Sequence, residues 1–371
     1  MASRTARSQT PSWPRRARVR PLGLRRHPLA QAVSLCLALG TLGAAPAYAA
    51  ITGTTTVSGS ETLSFGCNIF SGGTLSIDFG GSLSTTDNLN NLAGGTLGNA
   101  GSLSSSYHLR NYGTLTNQTG ATFTNEGTLA NAAGGALSVA GDLTSSGAIT
   151  NAGTLDVAAV GQVLGTGSFT QTGGVTTADG LLLAAAIDLQ GGSLFGTGTL
   201  EGDVTVGAAA TLAPGHSPGI LTVNGNLALD GTLVMEIDGT APGTFDGLNV
   251  TQGISFGAGS ITSIVFDNLF AAAAGMSWDL VQGNAFSGVG NINYQVTGLG
   301  SRYTWETYDE PSSGGGFHLG LRVQDAPEPG TLALLALGPR AAAPGPLTRG
   351  DRWPGPRTPR GPESPAAAAH C

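Results

Sequence analysis

Lysine is absent from this 371-residue chain, so its sixteen cationic side chains are all arginine. Eight of them lie before residue 27 and five after residue 338. Residues 50–326 keep only Arg110, Arg302 and Arg322 against twenty carboxylates, a formal balance of −17 that the overall −7 conceals. A body so acidic repels phosphate backbones, which argues against nucleic acid as its partner. Without Lys there is no phosphate-binding P-loop. Cysteine is scarce as well. Cys36 and Cys371 fall in the terminal segments and only Cys67 in the body, too few there for an internal disulfide or a thiolate metal site. Charged residues make up 11% of the chain but hydrophobic ones 40%, enough to bury a core. A sustained 3.6-residue period is missing outside the N-terminal leader, so little helix is expected in the body.

What the chain has is glycine, 60 of its residues, without a collagen period. A Gly-x-apolar step recurs at Gly73, Gly95, Gly113, Gly135 and Gly153, and more loosely at Gly174 and Gly192. The successive spacings are 22, 18, 22, 18, 21 and 18. A coil of about twenty residues, built of short strands and tight turns, is the repeat of a parallel β-helix. The fold expected is therefore all-β: a right-handed parallel β-helix over 51–235, followed by a β-rich capping region over 236–325. Glycine is expected to supply positive-φ corners. Alternation should turn Leu75, Leu97, Leu115, Leu137 and Leu155 inward as one column.

Two further patterns leave alternatives open. Asn99, Asn117, Asn125, Asn131 and Asn151 each stand two residues after an apolar residue. They fit stacked amide ladders between coils, or simply the preference of Asn for turns. Aromatic residues gather over 255–322 and fit either a bulky terminal cap or an aromatic-lined carbohydrate site.

Catalytic chemistry is not apparent. Gly215-His216-Ser217-Pro218-Gly219 matches G-x-S-x-G, but the residue after the serine must donate an oxyanion N–H, and Pro218 has none. The segment reads as a turn, with Ser217 inert. The five histidines never pair at metal-ligand spacing. No catalytic, cofactor-binding or metal-binding residue is assigned. Three or more acidic or basic side chains in one groove of the coil would instead favour a carbohydrate-active β-helix enzyme.

The two ends carry addresses. Residues 15–26 are basic, 29–43 are apolar, and Ala47-Tyr48-Ala49 is a small-x-small site. Residues 1–50 thus read as a secretory signal peptide, cut by signal peptidase after Ala49 or Ala50. Arg25-Arg26 leaves both the general and the twin-arginine export routes open.

At the other end, Ala326-Pro327-Glu328-Pro329-Gly330-Thr331 leads into a Leu/Ala run to Leu337. This resembles the PEP-CTERM sorting signal. The resemblance implies an exosortase partner that recognises Pro327, Glu328 and Pro329, transient membrane contact through the signal, and a Gram-negative host that makes exopolysaccharide. In that family the apolar stretch spans a membrane. Here the signal is truncated to 326–338, and seven apolar residues reach only about 10 Å as a helix. Residues 339–371 form a Pro/Arg-rich tail, expected to be disordered, whose abrupt onset resembles a reading-frame shift.

The succession Leu212-Ala213-Pro214-Gly215, Gly231-Thr232-Leu233 and Phe245-Asp246-Gly247 is similar to the closing region of autotransporter passengers and their β-strand repeats. That likeness covers 190–322 well and 53–190 more loosely. The combined expectation is a non-enzymatic structural or interaction protein, exported to the cell surface, outer envelope or extracellular matrix and associated with extracellular polysaccharide. The alternative is an adhesin passenger fragment related to autotransporters.

Overall fold

The computed structural model describes residues 48–267, 269–311 and 316–327. Up to Gly165 the chain runs in strands of three or four residues, such as Leu89–Asn91, Thr96–Asn99 and Ser102–Ser105. Such strands are too short to be stable alone. Each pairs in parallel with the strand three further along, so three strands make one coil and every coil lies on the last. The result is a parallel β-solenoid of about 9 turns, with no α-helix among the described residues.

Register fixes the interior. On the first face Leu89, Leu109, Leu129, Ile149 and Phe169 are successive partners, each twenty residues after the one before. On the second face Leu75, Leu97, Leu115, Leu137 and Leu155 form the expected column, all buried. On the third, Leu83, Leu103, Phe123, Leu143 and Val163 do the same. Burying each such side chain contributes roughly 1.5–3 kcal/mol, and only stacking a further coil makes that burial complete.

Of the repeating step's glycines, Gly174 (φ 67) and Gly192 (φ 73) supply the expected positive-φ corners, but the five before them have a different reason. In three of those five, positive φ belongs to the glycine before, at Gly72 (φ 77), Gly94 (φ 77) and Gly134 (φ 82). Gly113 and Gly153 are required by close approach. A Cβ on Gly113 would lie 2.3 Å from the carbonyl oxygen of Gly95, and one on Gly153 would lie 2.2 Å from that of Gly135. Coil sits on coil through bare backbone at that corner.

The asparagines settle into ladders. The Nδ2 of Asn91 donates to Oδ1 of Asn111, Asn111 to Asn131 and Asn131 to Asn151, each at 2.8 Å. The second proton of each amide goes to a main-chain carbonyl of the next coil: Thr114, Ala136 and Thr154, again at 2.8 Å. Asn151 passes the chain to Thr176 Oγ1 (3.0 Å), which donates to Gln171 Oε1. At the other end the Oδ1 of Asn91 has no donor, because Ile69 occupies its position in the coil before. A shorter ladder links Asn99 to Asn117 at 2.7 Å, and Asn125 reaches Ser145 Oγ at 3.1 Å. All these asparagines are buried, so the ladder reading holds over simple turn preference. Asn91 and Asn111 have the same spacing, after Leu89 and Leu109, and belong to the set.

Coils lengthen toward the C-terminus. Leu181–Gly196 and Thr199–Pro214 each run 16 residues as one strand bending through all three faces. First-face partners then lie further apart: Val204 with Leu227, Leu227 with Ile254, Ile254 with Phe286. Parallel pairing continues to Asn293–Thr297, so the β-rich region 236–325 holds further coils before its closing pair. That pair is antiparallel: Phe317–Asp325 joins Ser277–Gly283 on one side and Tyr303–Pro311 on the other. Three of the region's aromatics are core. Phe256, Phe266 and Trp278 are buried, Trp278 meets Phe266 edge-on at 5.3 Å, and its Nε1 donates to the Gly239 carbonyl. These contacts support the cap reading: Phe270, Phe286, Tyr294, Tyr303 and Trp305 pack half-buried against the core, while Phe317 is exposed.

Replacing Asn131 by Ala strands one donor of Asn111 and removes the amide donor to the carbonyl of Thr154 and to Oδ1 of Asn151, which keeps only the Gly153 N–H. We expect about 2–4 kcal/mol of destabilisation, read from urea unfolding. Thr150→Ala, on the exposed side of the same sheet, should stay within about 0.5 kcal/mol. Equal effects of the two would refute the ladder's contribution.

Candidate functional site

The residues expected from the sequence to carry cleavage and sorting signals sit at the margins of the described chain. Ala49 and Ala50 belong to the first strand, Tyr48–Ile51, which pairs in parallel with Gly66–Ile69, and Ala49 is buried there. Cleavage after either residue would cut that strand. Ala47 lies outside the described residues. The last strand ends at Asp325, two residues before Pro327, which is exposed. Glu328, Pro329, the apolar run Thr331–Leu337 and the tail 339–371 lie outside the described residues.

The richest cluster of polar groups surrounds the Gly215–Gly219 segment. Here the strand Thr199–Pro214 stops and Ile220–Asn224 begins, so the setting is strand–turn–strand, without the helix a nucleophile elbow requires. Ser217 is the one non-glycine residue with positive φ (65) among the described residues. His216 directs Nε2 at Asp179, 2.7 Å away and two coils earlier. Burial acts to raise the Asp179 pKa, but hydrogen bonds from His216 and Thr197 outweigh it and hold the carboxyl below its ordinary value. A His–Asp pair therefore stands one residue from Ser217. Ser217 itself makes no hydrogen bond to either partner, and Pro218 supplies no N–H.

Asp246 holds this turn in place. It is 1% exposed; Oδ1 accepts the Gly219 N–H at 2.7 Å and Oδ2 accepts the Glu236 N–H at 2.8 Å. Burial pushes its pKa up to about 6, helped by Glu236 and Asp238, while the two N–H donors act the other way. Burial, Asp267 and Glu236 together raise Asp238. Two adjoining cavities, of about 290 and 320 Å³, share Ser217 and Glu236; the first also meets Asp246, the second Asp238 and Asp267. Four carboxylates along two adjoining cavities is more than the sequence reading foresaw. The partners lie 27 and 37 residues apart, in connections between strands, and no local spacing announces them. Among the described residues no three His, Cys, Asp or Glu side chains are placed to hold a metal ion.

The pH dependence of stability follows from Asp246. Its folded pKa lies above the unfolded value of about 3.9, so the folded state binds the proton more tightly. Stability is then greatest below about pH 4, falls between about pH 4 and 6, and stays lower above. Asp179 acts only below that window, since its depressed pKa costs stability as pH drops under its ordinary value. The urea midpoint should be higher at pH 5 than at pH 7, and Asp246→Asn should shrink the difference while lowering both values, because an amide NH₂ then faces a backbone N–H. An unchanged pH difference in that variant would refute the assignment. Ser217 should remain unlabelled by a fluorophosphonate probe, and labelling would show that the His216–Asp179 pair activates it.

No family model matches the chain, and no curated protein matches it.

Proposed function

We propose that this chain is an exported structural and interaction protein of a bacterial cell surface or extracellular matrix, sorted by a PEP-CTERM/exosortase system and associated with exopolysaccharide. One observation carries the reading: a Lys-free, acidic repeat body lies between a basic–apolar–Ala47-Tyr48-Ala49 leader and the Pro327-Glu328-Pro329 motif. A solenoid suits that role. Its outward positions are mostly Ser, Thr, Asn and Gly, and each coil adds surface without adding a new fold. The same architecture suits an adhesin passenger.

A carbohydrate-active enzyme is the second reading, favoured by the adjoining cavities lined by Glu236, Asp238, Asp246 and Asp267. Paired carboxylates with separated pKa values are the apparatus of glycoside cleavage. Against it, both oxygens of the most perturbed carboxylate, Asp246, are taken by backbone donors. Depolymerisation of a polysaccharide that is lost in Glu236→Gln would establish the enzyme reading.

The sorting proposal is tested by expressing the chain with an exosortase, beside a version whose apolar run is lengthened to about twenty residues. The chain as it stands should be secreted without stable membrane retention. The lengthened form should be retained and then processed, and Glu328→Ala should abolish the processing. Equal retention of both lengths would overturn the argument from the short run, and processing without the exosortase would overturn the sorting assignment.

A further inference from the structure

Register places a row of exposed aromatics on the N-terminal coils, away from the aromatic cap. The strands Gly66–Ile69, Leu89–Asn91 and Leu109–Asn111 stack in register on the first face, so the residue after each aligns as well. Phe70, Leu92 and Tyr112 therefore form one edge of the face, and their N–H groups each donate to the coil before. Phe65, Asp87 and Tyr107 form the other edge by the same register. Phe65, Phe70, Tyr107 and Tyr112 are between 37% and 47% exposed, too much for core side chains.

The strip between the edges is polar and already ordered. Asn90 donates to Asn68 at 2.8 Å, Arg110 donates to Asn88 Oδ1 at 3.2 Å, and Asn88 donates to Asp87 at 3.1 Å. Tyr107 is steadied by His108, at a ring separation of 4.2 Å, and His108 by Thr128 at 2.6 Å. Rings that offer an apolar face, flanking amides and a guanidinium, match a ligand with apolar ring faces and a rim of hydroxyls. That ligand is a sugar chain. A second protein chain fits less well, since the rings are separated by polar groups and form no continuous apolar patch.

Spacing and charge narrow the class. On each edge the two rings stand two coils apart, about 10 Å at the strand separation of a sheet. This is the length of a disaccharide unit in an extended two-fold polysaccharide, in which alternate sugars present the same face. Arg110 is the only Lys or Arg between residues 50 and 301, and Asn88, which accepts from it, donates to Asp87, while the surrounding body is acidic. An anionic polymer is repelled there and a neutral one is not.

We infer that the first face of the N-terminal coils binds a neutral, extended β-1,4-linked polysaccharide along the solenoid axis, stacked on Phe70 and Tyr112 and hydrogen-bonded by Asn90 and Arg110. This deepens the exopolysaccharide part of the proposed function and rests on it for biological context, but not on the sorting signal.

The test is affinity electrophoresis of the full exported chain through gels containing hydroxyethylcellulose, galactomannan or alginate. Retardation by a neutral polymer is expected, with about tenfold weaker affinity in Phe70→Ala and in Tyr112→Ala, as for loss of one aromatic anchor. Val160→Ala, an exposed apolar residue on later coils, should bind as the parent does. The inference is overturned by migration unaffected in both neutral gels, by retardation in alginate alone, or by retardation that survives both aromatic substitutions. Self-association abolished by Tyr112→Ala, with no glycan retardation, would assign the face to a second copy instead. Binding that persists when exosortase processing fails would leave this site standing and remove only the sorting reading. Processing without binding would do the reverse.

Discussion

Each strand of the early coils is too short to hold its backbone hydrogen bonds except against the same strand of the neighbouring coil. That coil-on-coil pairing is the constraint from which the rest follows. It brings residues twenty apart into direct contact and stacks Leu on Leu on each face. It also forces the corner backbone so close that Gly113 and Gly153 tolerate no Cβ. It turns single buried asparagines, each costly alone, into a continuous amide chain in which one residue's donor meets the next residue's acceptor. The ladder ends where the repeat ends. Ile69 lies beyond Asn91 on one side, and on the other a threonine and Gln171 hand the bonds to backbone carbonyls.

Much of this was legible in the sequence, because a stack repeats its own information. The Gly-x-Leu step marked the column from Leu75 to Leu155, and the spacing of Asn99, Asn117, Asn131 and Asn151 marked positions that are buried and laddered. Asn91 and Asn111 carried the same signal and were readable from it. The step's glycines were recognised, and Gly174 and Gly192 have the expected positive φ, but the reason at Gly113 and Gly153 is contact between coils, which a local conformational argument does not reach. The later coils were harder. Leu181–Gly196 and Thr199–Pro214 bend through corners without breaking, with register shifts at Leu183/Ala186 and Leu189/Gly191, so neither twenty-residue spacing nor strict alternation survives. The Asp179–His216 pair and the Asp246 clamp join residues from different coils of unequal length. No periodic pattern predicts such meetings.

The same logic separates the surface into functional regions. Inward positions are fixed by packing, whereas outward positions are free to vary along each face and become ordered arrays when they repeat. On the N-terminal coils that freedom yields rings two coils apart around a neutral polar strip. Near residues 215–267 it yields carboxylates that the fold partly uses for its own turn. An acidic body with a single arginine on its early coils is suited to hydrated, uncharged polymer.

The ladder is the most direct place to test the account, because it exists only if the coils stack in this register. The measurement is hydrogen exchange of the side-chain amides of Asn91, Asn111, Asn131 and Asn151, followed by NMR alongside the exposed Asn224. The account predicts that the ladder amides exchange only as slowly as the strands around them open, several orders of magnitude behind Asn224. Exchange of the ladder amides at the rate of Asn224 would contradict the coil register and everything built on it.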